Sequence, residues 1–125
     1  MTAVLLSIKP EFAEKIFNGT KKYEFRKSIF KRSDIHKIIV YASSPVKKII
    51  GEFLVEDILC DTVESIWNKT HQYSGVSKQY YQTYYKNRDK AYAIKIGNVI
   101  RYKCSCNLRD YNISTAPQSF IYIKI

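Results

Sequence analysis

The stretch Phe17–Lys27, FNGTKKYEFRK, sets a glycine turn directly before Lys21, Glu24 and Arg26. Residues 23–26 alternate as a strand does, with Tyr23 and Phe25 on one face and Glu24 and Arg26, in register with Lys22, on the other. Lys21 stands in the turn and is free of that alternation. Two readings follow. The charges form a solvated surface pair that contributes little to stability, or they line a concave polar site. In the second case Arg26 offers a planar fork to a phosphate or a base edge and Lys21 a mobile charge. Glu24 then accepts from an exocyclic amine or holds Arg26 in place.

Upstream of this turn, Ala3–Ile8 reads as a short buried strand. Pro10 suits the first turn of a helix, with Glu11 at its positive end. Phe12 with Ile16 and Ala13 with Phe17 give that helix one apolar stripe, and Gly19 stops it. Downstream, IHKIIVYAS and KIIGEFLVEDIL read as strands, with Gly51 marking a bulge or a close backbone approach. Asp61 and Glu64 have capping-box spacing before SIWNKT, HQYSG is a loop, and Ser77 caps a helix beginning KQYYQTYY. AYAIKIGNVI and SFIYIKI supply two closing strands. The order β-α-β-β-β-α-α-β-β predicts a single α+β domain over residues 1–125, built as a small, strongly bent sheet or barrel with flanking helices. It excludes a Rossmann fold, since no glycine-rich turn follows a strand.

The 125 residues include 21 Lys and Arg against 11 Asp and Glu, a formal net charge of +10. Such an excess favours polyanions, nucleic acid first, although a solvated basic surface is the plainer reading. Three cysteines, Cys60, Cys104 and Cys106, make a poor disulfide framework and lack zinc spacing, which points to a reducing compartment. No apolar run is long enough for a signal or a membrane span, so a cytoplasmic location and no membrane partner are expected. His36 and His71 have no convincing partners; neither a metal site nor a Ser-His-Asp arrangement is expected.

Tyr80 with Tyr84 and Tyr81 with Tyr85, each pair four apart, make a broad aromatic helix face. It either stacks on unpaired bases or seals the helix to the sheet. Trp67 reads as core. Ser43 and Ser44, at a strand end before Pro45, either bind an anion or make ordinary turn bonds. Gln118 and Ser119 precede the last strand, where they can complete a cleft wall.

Gly19-x-Lys21-x-x-Glu24-x-Arg26, with the lead-in Ser7–Pro10, resembles the ASCH domain family of the PUA-like superfamily. VYASSPVKKIIGEFLVEDI, AYAIKI and PQSFIYI are similar to further blocks of one branch, usually labelled transcriptional regulators. The resemblance implies a small PUA-like β-barrel with flanking helices and a cleft floored by Lys21, Glu24 and Arg26, joined by Lys9, Ser43, Ser44, Gln118 and Ser119. It implies binding of RNA or a nucleotide-like ligand, with DNA open and no cofactor; monomer and homodimer both stand. One branch of the family hydrolyses N4-acetylcytidine with a lysine of this motif, a threonine where this chain has Glu24, and a later glutamate. Ribonuclease activity is also attributed to members. On an enzymatic reading Lys21 and Glu24 are the catalytic pair, with Glu56, Asp57 or Glu64 as second carboxylate.

Overall fold

The computed structural model describes all of residues 1–125. β1 (Thr2–Ile8) leads into α1 (Pro10–Phe17), then β2 (Tyr23–Arg26), β3 (Lys37–Ala42) and the long β4 (Lys48–Thr62). Next come α2 (Val63–Thr70), a 3₁₀ turn at His71–Tyr73, α3 (Lys78–Tyr84) and the longest strand, β5 (Lys90–Cys106). A second 3₁₀ turn at Leu108–Tyr111 precedes β6 (Phe120–Lys124). The strands form one sheet in the order β2-β5-β4-β3-β1-β6. All neighbours are antiparallel except β1 and β3, which need the α1–β2 crossover to run parallel.

β1 is apolar at nearly every position because both of its faces are covered. Val4, Leu6 and Ile8 join α1 residues Ala13 and Ile16 in the larger core. Ala3 and Leu5 face the other way, onto Ile39, Tyr41, Ile49 and Ile123. A third cluster lies where α2 and α3 cover the β2–β5 end, around Phe25, Ile66, Tyr81 and Tyr85.

The β4–β5 ribbon shifts register at Ile49/Gly51, Phe53/Val55 and Val55/Asp57. Each irregularity adds local twist and bend, so the sheet curls on itself. The expected α+β class and bent sheet are present, but the ladder is not closed into a barrel: β2 and β6 are its two edges. The seam is bridged by a side chain instead, with Arg26 of β2 donating to the Ser7 carbonyl (3.3 Å) and to Ser119 Oγ (2.7 Å).

Two local expectations resolve differently. The α2 cap falls on Thr62, whose Oγ accepts from the Ser65 amide, because β4 continues through Thr62. Asp61 instead accepts from the Thr62 amide and the Ser65 hydroxyl. Ser77 does cap α3, accepting from the Tyr80 amide.

Gly51 sits where β4 bulges beneath α1. A Cβ there would lie 2.5 Å from the Ile100 carbonyl oxygen and 2.5 Å from the Phe17 ring. The ring tip can swing, but the carbonyl is fixed in the sheet. Gly51→Ala is expected to destabilise the fold by about 1–3 kcal/mol, read as a lowered urea midpoint; an unchanged midpoint would contradict this packing.

Candidate functional site

The open seam is the mouth of a cavity of about 670 Å³, walled by β2, the start of α1, α3 and the segment before β6. Its floor comes from the opening stretch of sequence. Gly19, at φ +86°, turns the chain out of α1, and the Lys21 and Lys22 amides are tied to the carbonyls of Lys15 and Tyr73. Lys21 is thereby driven inward and retains only 2 % of its exposure. Its Nζ donates to the Ser74 carbonyl at 2.7 Å and lies 3.9 Å from Glu24 Oε1. The rings of Phe25 and Phe12, at 4.7 and 5.4 Å, supply further cation–π contact.

The loop over Lys21 is shaped to its stem. Gly75 has φ +71°, and a Cβ there would fall 2.6 Å from Lys21 Cβ and Cγ. Lys15 Nζ donates to the Gly75 carbonyl at 3.0 Å, so two lysines hold adjacent carbonyls of this loop. Burial drives the Lys21 pKa down to about 8, against the pull of the Glu24 carboxylate, which raises it; nearby Lys15 adds to the lowering.

Glu24 is buried and faces the same cavity. Its Oε2 accepts from the Arg26 guanidinium at 3.1 Å. Oε1 has no hydrogen-bond donor within the protein, yet it is not sealed off, since no fully enclosed side-chain oxygen lacks a partner. The Arg26 fork, which could have met a phosphate, is directed at Glu24, the Ser7 carbonyl and Ser119. Arg26 occupies the seam, where a free carbonyl, a carboxylate and a hydroxyl converge, and these take its donors. Ser119 reaches the site only through Arg26, whereas Gln118 lines the cavity directly.

Lys9, at the N-terminal end of α1, and Ser43 and Ser44, in the turn after β3, also line it. The Ser43 amide is bonded to the Ile8 carbonyl and its own carbonyl accepts from Val46, which folds the turn back and carries Lys47 to the rim. Glu24 is the sole carboxylate lining the cavity. The candidate second carboxylates lie elsewhere: Glu56 pairs with Lys95 on the surface, Asp57 is exposed on β4, and Glu64 occupies the first turn of α2. His36 and His71 are exposed, and His71 lies beside the Trp67 ring.

The tyrosine face divides. Tyr81 and Tyr85 are buried, and their hydroxyls donate to the carbonyls of Val63 (2.7 Å) and Arg26 (2.8 Å). Tyr80 and Tyr84 are half-buried and line the cavity. Sequence reasoning missed Ser7, Lys47 and the segment Ser114–Pro117. Ser7 Oγ donates to the Pro117 carbonyl at 2.6 Å, a contact across 110 residues of chain that no local pattern announces.

The depressed Lys21 pKa has a signed consequence. Between pH 8 and 10.5 the unfolded chain holds the lysine proton more tightly than the fold does, so this lysine makes stability rise with pH up to about pH 10. Above about pH 10 the trend reverses, because burial raises the pKa of Tyr81 to about 12 and lifts those of Tyr85 and Tyr102 as well. Wild type is expected to gain about 2 kcal/mol relative to Lys21→Met between pH 8 and 10. Urea titrations at fixed pH measure it, and parallel curves for the two proteins would rule it out.

The ASCH domain family model matches residues 6–100. The chain is 32 % identical over 97 % of its length to part of the large ribosomal subunit protein uL22 of Ureaplasma parvum, and it spans 39 % of that protein. It is 35 % identical to the ASCH domain-containing ribonuclease of Zymomonas mobilis, across 71 % of this chain and 60 % of that protein. Among solved structures, a mutant of ZmASCH from Zymomonas mobilis superposes with a TM-score of 0.90 at 28 % identity, covering 98 % of this chain and 88 % of that one. On the motif, the fold and these matches together, the chain belongs to the ASCH domain family.

Proposed function

We propose that the chain binds single-stranded RNA and seats one nucleotide in the cleft. The observation that carries this is the pair on the cleft floor: a buried ammonium with donors to spare 3.9 Å from a carboxylate oxygen that no protein group satisfies. Side by side they offer one donor and one acceptor, the arrangement that a base edge presents in complementary form. A cavity of about 670 Å³ is of the size that takes a nucleotide-like ligand. Lys9 and Lys47 at the rim, neither held in an ion pair, suit the flanking phosphates. The relative named as a ribonuclease agrees with an RNA partner.

A second reading, RNA cleavage, rests on the Lys21 pKa of about 8, which leaves roughly a tenth of the lysine neutral at pH 7. A neutral Nζ can take the proton of a ribose 2′-hydroxyl as its oxygen attacks the adjacent phosphorus. The bond to the 5′ oxygen breaks, that oxygen takes a proton from water, and a 2′,3′-cyclic phosphate remains. The N4-acetylcytidine hydrolase reading has less support, because no second carboxylate reaches the cleft.

The test is to titrate short single-stranded RNA across a salt series and to analyse the same mixtures on denaturing gels. Lys21→Ala is expected to weaken binding at least about tenfold at every salt concentration. Lys9→Ala and Lys47→Ala should each reduce the logarithmic salt slope by about 0.7. Binding without strand scission identifies a recognition module. Scission that is lost in Lys21→Ala and blocked by 2′-O-methyl substitution identifies a ribonuclease. Weak binding indifferent to Lys21 would remove the cleft from both readings.

A further inference from the structure

We infer that Tyr80, backed by Tyr84, is a stacking platform at the cleft mouth for the base that flanks the seated nucleotide. This subsite rests on the RNA-binding reading above and adds to it a residue and a second base.

Four neighbouring tyrosines, three on α3 and Tyr85 at its C-cap, allow a comparison within the protein. A tyrosine that only seals a helix to a sheet buries its ring and hands its hydroxyl to a fixed acceptor. Tyr81 and Tyr85 do both, and Tyr84 donates to the Phe25 carbonyl at 3.3 Å. Tyr80 does neither: its ring is half-buried at the cavity edge and its hydroxyl has no protein partner.

The ring is nevertheless held in a defined pose. The Tyr80 and Tyr84 rings are nearly parallel, 10° apart in plane with centroids 6.3 Å apart. Phe12 meets Tyr80 edge-on at 5.1 Å and 73°, which fixes its tilt. Lys9 Nζ lies 5.3 Å from the Tyr80 centroid, and Lys27 Nζ lies 4.8 Å from that of Tyr84. An aromatic slab with a cation at each ring is what unpaired bases and their phosphates engage, the base by stacking and the phosphate by charge. A ring already positioned loses little rotamer freedom when a base settles on it. With one nucleotide seated on the Lys21–Glu24 floor, Tyr80, half-buried in the lining of the same cavity beside the exposed Lys9, is offered to the next base along the strand.

The experiment compares uridine 5′-monophosphate, adenosine 5′-monophosphate and the tetranucleotides of each, against wild type, Tyr80→Phe and Tyr80→Leu. Leucine keeps apolar contact with Phe12 but has no π face, and thermal melting establishes that each variant is folded. Tetranucleotides carrying one abasic residue at each position in turn complete a double-mutant cycle. Tyr80→Leu is expected to weaken tetranucleotide binding about five- to a hundredfold, to leave monophosphate binding within about twofold, and to have no further effect on the RNA abasic at the stacked position. Tyr80→Phe should bind as wild type does. If tetranucleotides bind through Lys21 but Tyr80→Leu is without effect, or if the abasic RNA still senses it, the platform is wrong and the cleft reading survives. If neither monophosphates nor tetranucleotides bind folded wild type, it is the RNA-binding reading that fails.

Discussion

Arg26, Glu24 and Lys21 form a line of alternating charge along the open edge of the sheet, and the cleft depends on how incompletely that line is neutralised. Removing an ammonium, a carboxylate and a guanidinium from water is unfavourable by several kcal/mol per ion, and good geometry must offset it. At the Arg26 end it does: the guanidinium meets a carboxylate, a backbone carbonyl and a hydroxyl, and in doing so holds together two strand edges that no ladder joins. At the Lys21 end the ammonium has a single good acceptor, the Ser74 carbonyl. The network is closed at the seam and unsatisfied on the cleft floor, so the unpaired donors and acceptor lie in the cavity and not between the strands.

The distribution of the remaining charge follows the same division. Glu14, Asp34, Glu52, Glu56 and Asp61 each pair with a lysine or arginine away from the cleft. Exposed pairs of this kind add little stability. Their effect is on the field: acids are tied to cations elsewhere, while Lys9, Lys27 and Lys47 stand unpaired near the rim. A concave, low-dielectric site with one sign of charge at its mouth focuses the potential experienced by an approaching anion.

Most of this was legible where the information was local. The turn at Gly19, the strand alternation from Tyr23 and the apolar stripe of α1 all lie within one stretch, and together they brought Lys21, Glu24 and Arg26 into one place. That Glu24 holds Arg26 was one of the two readings open in the sequence, but the rest of the fork's direction was not legible, because it depends on Ser7 and Ser119, strands away in space and 93 residues apart from Arg26 in the second case. Whether the bent sheet closes was not legible for a related reason: strand count and order can be read from periodicity, whereas edge pairing depends on how far the bulged β4–β5 ribbon curls. The one-residue shift of the α2 cap shows the smaller version, with β pairing extending to Thr62 over the local preference of Asp61. The tyrosines looked like two equivalent pairs along the helix; packing buried Tyr81 and Tyr85 and left Tyr80 and Tyr84 half-buried, with Tyr80 alone keeping a hydroxyl without a protein partner.

The parallel pairing of β1 with β3, and the antiparallel pairing of β6 on the other side of β1, have a consequence for the order of assembly. During synthesis the Lys21–Glu24 floor leaves the ribosome early, but the wall that faces it comes from residues 114–118, and the Ser119 hydroxyl that completes the seam follows them. Ser7 must wait across 110 residues for Pro117, a loop closure that is slow compared with forming a local helix. Until β6 docks, Arg26 lacks one of its three acceptors and β1 retains an unpaired edge. The cleft is therefore the last part of the domain to be completed, and a nascent chain presents basic charge before it presents an enclosed pocket.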